Sequence, residues 1–324
     1  MICKTIDNNF DFIYINDCWQ IPVITELQIF NNFNNNKNIP YHFISFPWAS
    51  YIDNKYHHKY NDLQKAIDLE SINHSFVEQN TNYFTVCQHI QFRQYLELFK
   101  KLNIKYIFTP HKMKGDDLLE KEHGIFIESI SLFPKQSNNL ESRIQILERK
   151  FLSSFVGQVV HKDMISNIRE EIYKNFKDKT DCFINKKDTW HYQNAVYKKI
   201  LTKDEKDLTD NDLIYKQILM DSQFSLCPLG TGPNSIRLWE SLSFGAVPII
   251  LSDSLVLPKL NINYEECFII WREADIDKLY DYLLNFDKEK LTNMSKKCAE
   301  LYETYFSEIN MHKPILYFFE ELFK

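Results

Sequence analysis

The chain is short of glycine. Six occur in 324 residues, about 2% against a usual level of about 7%, so each one that remains is expected to serve a backbone geometry. Arginine is equally sparse, with six. No apolar run reaches the roughly 18 residues of a membrane span, so none is expected. The N-terminus, MICKTIDNNFDFIYIND, has no basic segment followed by a clean apolar run, so no signal peptide is expected. The seven cysteines form no C-x-x-C pair. An odd count without a leader points to reduced thiols and a cytoplasmic setting. Peripheral contact with a membrane remains compatible with this composition. A basic excess is also missing: the net charge is −6, which argues against a general nucleic-acid binder. A local anion site is not excluded.

What is present suits a folded protein with a real core. Apolar residues make up 44% and aromatics 15%, and the length fits one large domain or two ordinary ones. Strand-like and helix-like runs alternate. FDFIYIN (10–16), YHFISFPW (41–48), YFTVCQ (83–88), IKYIFTP (104–110) and FIESISLFP (126–134) read as strands. NNFNNNKN (31–38) reads as a surface loop, 55–71 as a polar helical stretch, and 139–150 as a charged helical boundary. The pattern then restarts with strands FLSSFVG, DCFIN, FSLCP, VPIIL and ECFIIW and helices between them. Such alternation means parallel sheets with crossover helices. The expectation is an α/β chain with two doubly wound Rossmann-like domains facing each other, 1–149 and 150–306. Ligands of such sheets bind beyond the carboxyl ends of the strands.

One stretch, SLCPLGTGPNSIRLWESLSFGAVPIILSD (225–253), holds three of the six glycines and one of the six arginines. Gly230 and Gly232 lie in a loop after a strand, and Asn234 and Ser235 are helix-start residues. Gly245 suits the position just past the helix end. Arg237 therefore falls in the first helical turn, where the macrodipole disfavours a cation by roughly 0.3–1 kcal/mol. An anion bound at the helix start would reverse that sign. Glu240, three residues on, shares the face. An arginine for phosphate and a carboxylate for ribose suit a nucleotide. A surface Arg–Glu helix pair is the alternative.

Ser222, Phe224, Leu226-Cys227-Pro228, Gly230, Ser235, Arg237, Glu240, Gly245, Val247-Pro248, Ser252-Asp253 and Leu257-Pro258 together resemble the signature of the exostosin-type glycosyltransferases. The match is specific over some 37 residues, with weaker echoes upstream in FLSSFVG and the Ile168-Arg169 helix. The resemblance implies the GT-B architecture. A first domain, joined by a C-terminal helix at about 307–324, would hold a carbohydrate acceptor. The second would hold a nucleotide-sugar, usually UDP-linked. It further implies inverting, metal-independent transfer without a cofactor, in surface polysaccharide or glycan synthesis. Ser235 and Arg237 would face the diphosphate and Glu240 the ribose, with Gly230 and Asn234 completing the loop. Two rivals stand beside it. One is a fucosyltransferase-like enzyme using a GDP-sugar, against which Ser235-Ile236-Arg237 counts. The other is a non-catalytic carbohydrate- or nucleotide-binding protein of the same fold.

An inverting reaction needs a base for the acceptor hydroxyl. Three residues follow strands of the first half: His111, His89 and Asp53, in that order of preference, since histidine needs the least tuning near neutrality. Trp48, beside Phe46 and Tyr51, either stacks on a sugar or packs within its own loop. No H-E-x-x-H and no zinc-type Cys/His spacing occurs, so no metal is expected. Cys227 reads as a small buried residue rather than a nucleophile.

Overall fold

The computed structural model describes residues 2–7, 10–15, 19–21, 23–36, 41–57, 80–137, 144–187 and 206–324. The chain divides into two compact units. The first takes Met1–Phe133, Leu255–Leu260 and Glu308–Lys324; the second takes Pro134–Ser254 and Asn261–Ser307. The division falls at Phe133/Pro134 rather than at 149/150. The intervening segment already bonds the second unit: the Gln136 N–H donates to Glu240, and the Arg149 guanidinium donates to the carbonyls of Ser222 and Phe244.

In the first unit, strands β1 (Ile2–Asp7), β2 (Phe10–Ile15), β3 (Phe43–Ser45), β4 (Tyr83–Val86), β5 (Ile104–Thr109) and β6 (Phe126–Ser129) lie in sequence order across one sheet. β1 and β2 form an antiparallel hairpin and the other neighbours are parallel. β1 precedes the first strand expected from the sequence, FDFIYIN at 10–16. Where the asparagine-rich run 31–38 suggests a loop, helix α1 spans Thr25–Asn36. Ile29, Phe30 and Phe33 recur one turn apart and are buried, so an apolar face overrides the weak helix propensity of asparagine. Asn32 is buried with them, but its amide is satisfied by Gln28 and the Glu308 carbonyl. The strand read at 41–48 stops at Ser45, because Pro47 precedes helix α2 (Trp48–His57). The rest of the polar helical stretch, 58–71, lies outside the described residues. Of the charged run 139–150, the described part forms one 3₁₀ turn, Ile146–Glu148.

Helices α3 (Leu96–Lys101) and α4 (Asp116–His123) complete the alternation in this unit. The last helix, here α10 (Lys313–Leu322), packs Ile315 and Phe319 into a cluster with Ile29, Phe33, Phe84 and Phe108. Phe319 stacks on Tyr41, with ring centroids 5.3 Å apart. The segment beyond Ser307 thus completes the first unit's core.

In the second unit the strands are β7 (Phe151–Gln158), β8 (Cys182–Lys187), β9 (Ser222–Pro228), β10 (Val247–Leu251) and β11 (Ile269–Ile270). Their order is β11-β10-β9-β7-β8, all parallel. Every residue of β10 is buried, as a parallel strand covered on both faces requires. The connecting helices are α5 (Ile168–Phe176), α6 (Lys206–Met220) and α7 (Ile236–Ser243), and α8 (Ile276–Leu284) and α9 (Lys288–Leu301) follow. Gly245, at φ +64°, ends α7 in the left-handed conformation. The chain lays β8 on one side of β7 and then returns to lay β9 on the other. That reversal opens a crevice between the carboxyl ends of β7 and β9, the usual ligand position of such sheets.

Phe319→Ala should destabilise the first unit by about 3–5 kcal/mol, the usual range for deleting a buried phenylalanine. Denaturant unfolding checks this. A loss near zero would mean that α10 is not part of the core.

Candidate functional site

Two arginines converge on the β7–β9 switch. Each is the second residue of a helix that follows one of the two strands: Arg169 in α5 after β7, and Arg237 in α7 after β9. Both face the same conflict with the helix dipole. Arg169 donates from Nε to the Leu229 carbonyl (2.7 Å), from Nη1 to Gln158 (3.0 Å) and from Nη2 to Pro228 (3.5 Å). It therefore staples the ends of β7 and β9 together. Arg237 is buried, donates from Nη2 to the Val156 carbonyl, and leaves Nη1 without a partner among the described residues. Both guanidinium groups lie over the Phe155 ring, at 5.8 and 5.1 Å, and Arg237 also lies 5.2 Å from the Tyr215 ring. Burial, and then the Arg237 charge, pull the Arg169 pKa down to about 10. Among the described residues neither forms an ion pair. Two cations thus share one corner of the fold, their hydrogen bonds go to carbonyls, and among the described residues no carboxylate pairs with either, an arrangement that favours an anion.

Close approach explains the local glycine. A Cβ on Gly230 would stand 2.9 Å from Arg169 Nη2. The Gly230 carbonyl accepts from the Ile165 N–H at 3.0 Å, which ties the loop after β7 to the loop after β9. Asn234 is buried, and its Oδ1 accepts from the Ser235 N–H (2.8 Å) and the Trp239 indole (3.0 Å). It organises the helix start. Ser235 is the N-cap but makes no side-chain capping bond, so its hydroxyl stands free of its own helix. Glu240 is buried, and its oxygens accept from the Gln136 N–H (3.0 Å) and the Tyr215 hydroxyl (2.8 Å). It fixes the ring on which Arg237 rests, so this is no surface Arg–Glu pair. Cys227 is buried and its thiol is pushed up to about 11 by burial, which keeps it protonated.

In the first unit the candidates separate. Asp53 and His89 form a pair: His89 Nε2 lies 3.0 Å from Asp53 Oδ1. His89 Nδ1 accepts the Gln91 N–H at 3.1 Å, so Nε2 carries the proton and donates to Asp53. Gln20 donates to the other Asp53 oxygen at 2.5 Å, and the Asp53 side chain is 28% exposed. Behind this pair lies a residue that the sequence gave no reason to single out. Glu26 is buried, and its carboxyl accepts from the N–H groups of Ala49 and Gln88. Burial, opposed by those bonds and aided by the Asp53 charge, raises its pKa to about 8. His111 is buried with Nδ1 unpartnered among the described residues. Burial, then the charges of His89 and Arg93, lower its pKa to about 3. Trp48 is fully buried, donates to Thr85 Oγ1 at 2.8 Å and packs on Phe46 and Phe99. The sugar-stacking expectation for it is therefore corrected: the ring is core and has no face free.

Two D-x-D triplets occur, Asp210-Asn211-Asp212 and Asp275-Ile276-Asp277. The first lies within α6, where Asp212 pairs with Lys135 at 3.2 Å; the second opens α8, where Asp275 pairs with Lys278 at 2.6 Å. Among the described residues no group of three His, Cys, Asp or Glu side chains could hold a metal ion. No helix among them is long and apolar enough to cross a membrane.

The exostosin GT47 domain model matches residues 72–286. A probable glucuronosyltransferase of Oryza sativa subsp. japonica is 36% identical over 92 residues, 28% of this chain and 22% of that protein. A probable β-1,4-xylosyltransferase of Arabidopsis thaliana is 35% identical over 92 residues, with the same shares of 28% and 22%. The matched segment thus spans about a fifth of the length of these relatives. Among solved structures, HepE of Anabaena in complex with UDP matches with a TM-score of 0.50 at 8% identity, covering 95% of this chain and 99% of HepE. A likeness at that identity concerns the fold. With the two largely parallel sheets, it assigns the chain to the GT-B class.

Two outcomes follow from the geometry. Arg237→Met keeps the side-chain volume and removes the repulsion with Arg169. Its melting temperature without ligand should equal or exceed that of the unaltered chain, while stabilisation by inorganic pyrophosphate should disappear. A large drop without ligand would make Arg237 a structural residue. The second concerns Glu26, whose folded pKa of about 8 lies above its ordinary 4.5. Its contribution is fully present below about pH 4.5 and is lost as pH rises through about 8. The melting-temperature difference between Glu26→Gln and the unaltered chain should therefore shift in the variant's favour across that window. A pH-independent difference would contradict the raised pKa.

Proposed function

This chain belongs to the exostosin GT47 family, and we propose that it is a glycosyltransferase acting on a nucleoside diphosphate sugar, with UDP the expected nucleotide. The sugar passes to a carbohydrate hydroxyl with inversion at the anomeric carbon. The observation that carries the reading is the pair of guanidinium groups at the switch, Arg169 and Arg237, with no acidic partner among the described residues. A diphosphate linker brings two negative charges to two positive ones; a nucleoside monophosphate sugar brings one. The names of the relatives, for glucuronosyl and xylosyl transfer, and the UDP bound in HepE support the same class.

The chemistry balances with residues of this chain. The acceptor oxygen bonds the anomeric carbon as its proton passes to a base. The bond from that carbon to the phosphate oxygen breaks, and its electron pair leaves with the nucleoside diphosphate. Charge builds on the diphosphate during that step, and fixed cations and the α7 N-terminus are already oriented toward such a charge. That countercharge makes a metal-independent reaction the expected one. For the base, the order of the three candidates changes. His111 is buried, with a pKa of about 3, so it has little basicity near neutrality. Asp53 is the better choice, with His89 orienting its carboxylate through Oδ1. A cytoplasmic enzyme of surface polysaccharide synthesis, touching the membrane peripherally, is the setting we favour.

Thermal-shift titration with UDP, GDP and CMP tests the donor reading. The preferred nucleotide at 100 times its dissociation constant should add about 2.7 kcal/mol, and CMP should add least. Equal stabilisation by CMP would sink the diphosphate argument. Asp53→Asn should keep the nucleotide affinity and lower acceptor-dependent nucleotide release by roughly 10²–10⁴, the contribution expected of a general base. Chelator should leave that release unchanged. If Asp53→Asn retains turnover within about tenfold, the base lies elsewhere.

A further inference from the structure

Buried polar side-chain atoms in folded proteins are nearly always hydrogen-bonded, so exceptions point to what the chain binds. Among the described residues of the second unit, five such atoms have no partner: Ser154 Oγ, Arg237 Nη1, Ser252 Oγ, Ser254 Oγ and Ser307 Oγ. Ser154 lies within β7, in register with Ser225 of β9, and Ser307 lies beyond the last helical turn of that unit. The other three stand at the carboxyl edge of the sheet. Ser254 is half-buried, whereas Ser252 is only 5% exposed.

The register places Ser252 with the arginines. Leu251, the last residue of β10, is opposite Pro228, the last residue of β9, and the Leu229 N–H donates to the Leu251 carbonyl at 3.0 Å. The Leu229 carbonyl in turn accepts from Arg169, which also holds Gln158 at the end of β7. Gln158 ends β7, Leu229 follows β9 and Ser252 follows β10, so the three make a row of strand ends, with Arg169 bridging the first two. Helix α7 joins β9 to β10, so its N-terminus stands over this row. Arg169 flanks it on the β7 side and Ser252 on the β10 side. The turn that carries Ser252 is fixed: the Asp253 N–H donates to Glu273 Oε1 (3.0 Å), and Glu273 returns its own N–H to Asp253 (3.3 Å). Glu273 also accepts from the Ser166 hydroxyl. Asp253 and Glu273 are thus engaged by protein donors, whereas the Ser252 and Ser254 hydroxyls have no partner among the described residues, and of the two only Ser252 is more than nine-tenths buried.

We infer that Ser252 is a further donor-binding residue, whose hydroxyl bonds a phosphate oxygen of the diphosphate on the β10 flank of the α7 N-terminus, opposite Arg169. This rests on the nucleoside diphosphate reading above. The interaction is a hydrogen bond from a neutral donor to a charged acceptor, at a hydroxyl that no acceptor among the described residues takes. Its loss has an unusual signature. Removing a buried hydroxyl that the protein does not satisfy leaves stability unchanged or raises it, while the charged ligand loses a bond.

Calorimetric titration of inorganic pyrophosphate and of UDP into the unaltered chain, Ser252→Ala and Ser131→Ala tests it. Ser131 Oγ is likewise buried and unpartnered but lies in the first unit, so it controls for the lesion. Ser252→Ala should weaken both ligands by about tenfold, with a melting temperature without ligand equal to or above that of the unaltered chain. Ser131→Ala should leave both affinities unchanged. The inference is overturned if Ser252→Ala binds pyrophosphate within about twofold of the unaltered chain, whether or not UDP weakens. It is also overturned if the variant melts lower without ligand, because the hydroxyl then had a partner in the protein. If the unaltered chain binds neither ligand, the donor reading falls and this inference with it.

Discussion

Two like charges held against one ring organise the second unit. Arg169 and Arg237 both rest on Phe155, and their repulsion contributes to the lowered pKa of Arg169. Folding would be easier with one of them neutral. Their surroundings hold the arrangement in place. Carbonyls at the ends of β7 and β9 take the donors of Arg169, and Gly230 lets its guanidinium approach the loop. Tyr215 covers Arg237, Glu240 holds Tyr215, and the Gln136 backbone holds Glu240. Each link is a neutral or charge-assisted bond, and none brings a carboxylate to Arg169 or Arg237 among the described residues. Strain of this kind is expected where a charged ligand is to be bound.

The first unit shows the opposite economy of charge. Asp53, His89, Gln20 and Gln88 satisfy one another around a buried Glu26. Glu26 ties the start of α2, which carries Asp53, to the residue before His89. The two elements that present the candidate base are thus held by one buried carboxyl. Its raised pKa follows from burial that the two backbone N–H donors only partly offset.

Much of this was legible in the sequence, and the failures have physical causes. Parallel strands buried on both faces, such as VPIIL, announce themselves as unbroken apolar runs, and the glycine at 245 marks its helix end. The dipole conflict at Arg237 marked the candidate site; the same argument applied to Ile168-Arg169 would have marked the second arginine as well. Glu240 shows what spacing leaves open: i, i+3 puts two side chains on one face without saying whether that face meets ligand or core. Trp48 and the asparagines of α1 failed for a related reason. Burial by distant elements overrode local character, turning an aromatic strand end into a helix start and an apparent loop into a helix. Glu26 and Ser252 carry no local signal at all, since their meaning lies in partners brought or withheld by the fold.

The central claim is that Arg169 and Arg237 are kept together for a diphosphate, and a double-mutant cycle measures it most directly. Melting free energies of the unaltered chain, Arg169→Met, Arg237→Met and the double variant give the coupling between the two guanidinium groups. Measured without ligand, that coupling should be unfavourable, because the charges repel. Measured with saturating inorganic pyrophosphate, it should change sign, because both charges then share one anion. A coupling that keeps the same sign and size with and without pyrophosphate would show that the pair is a feature of the fold alone.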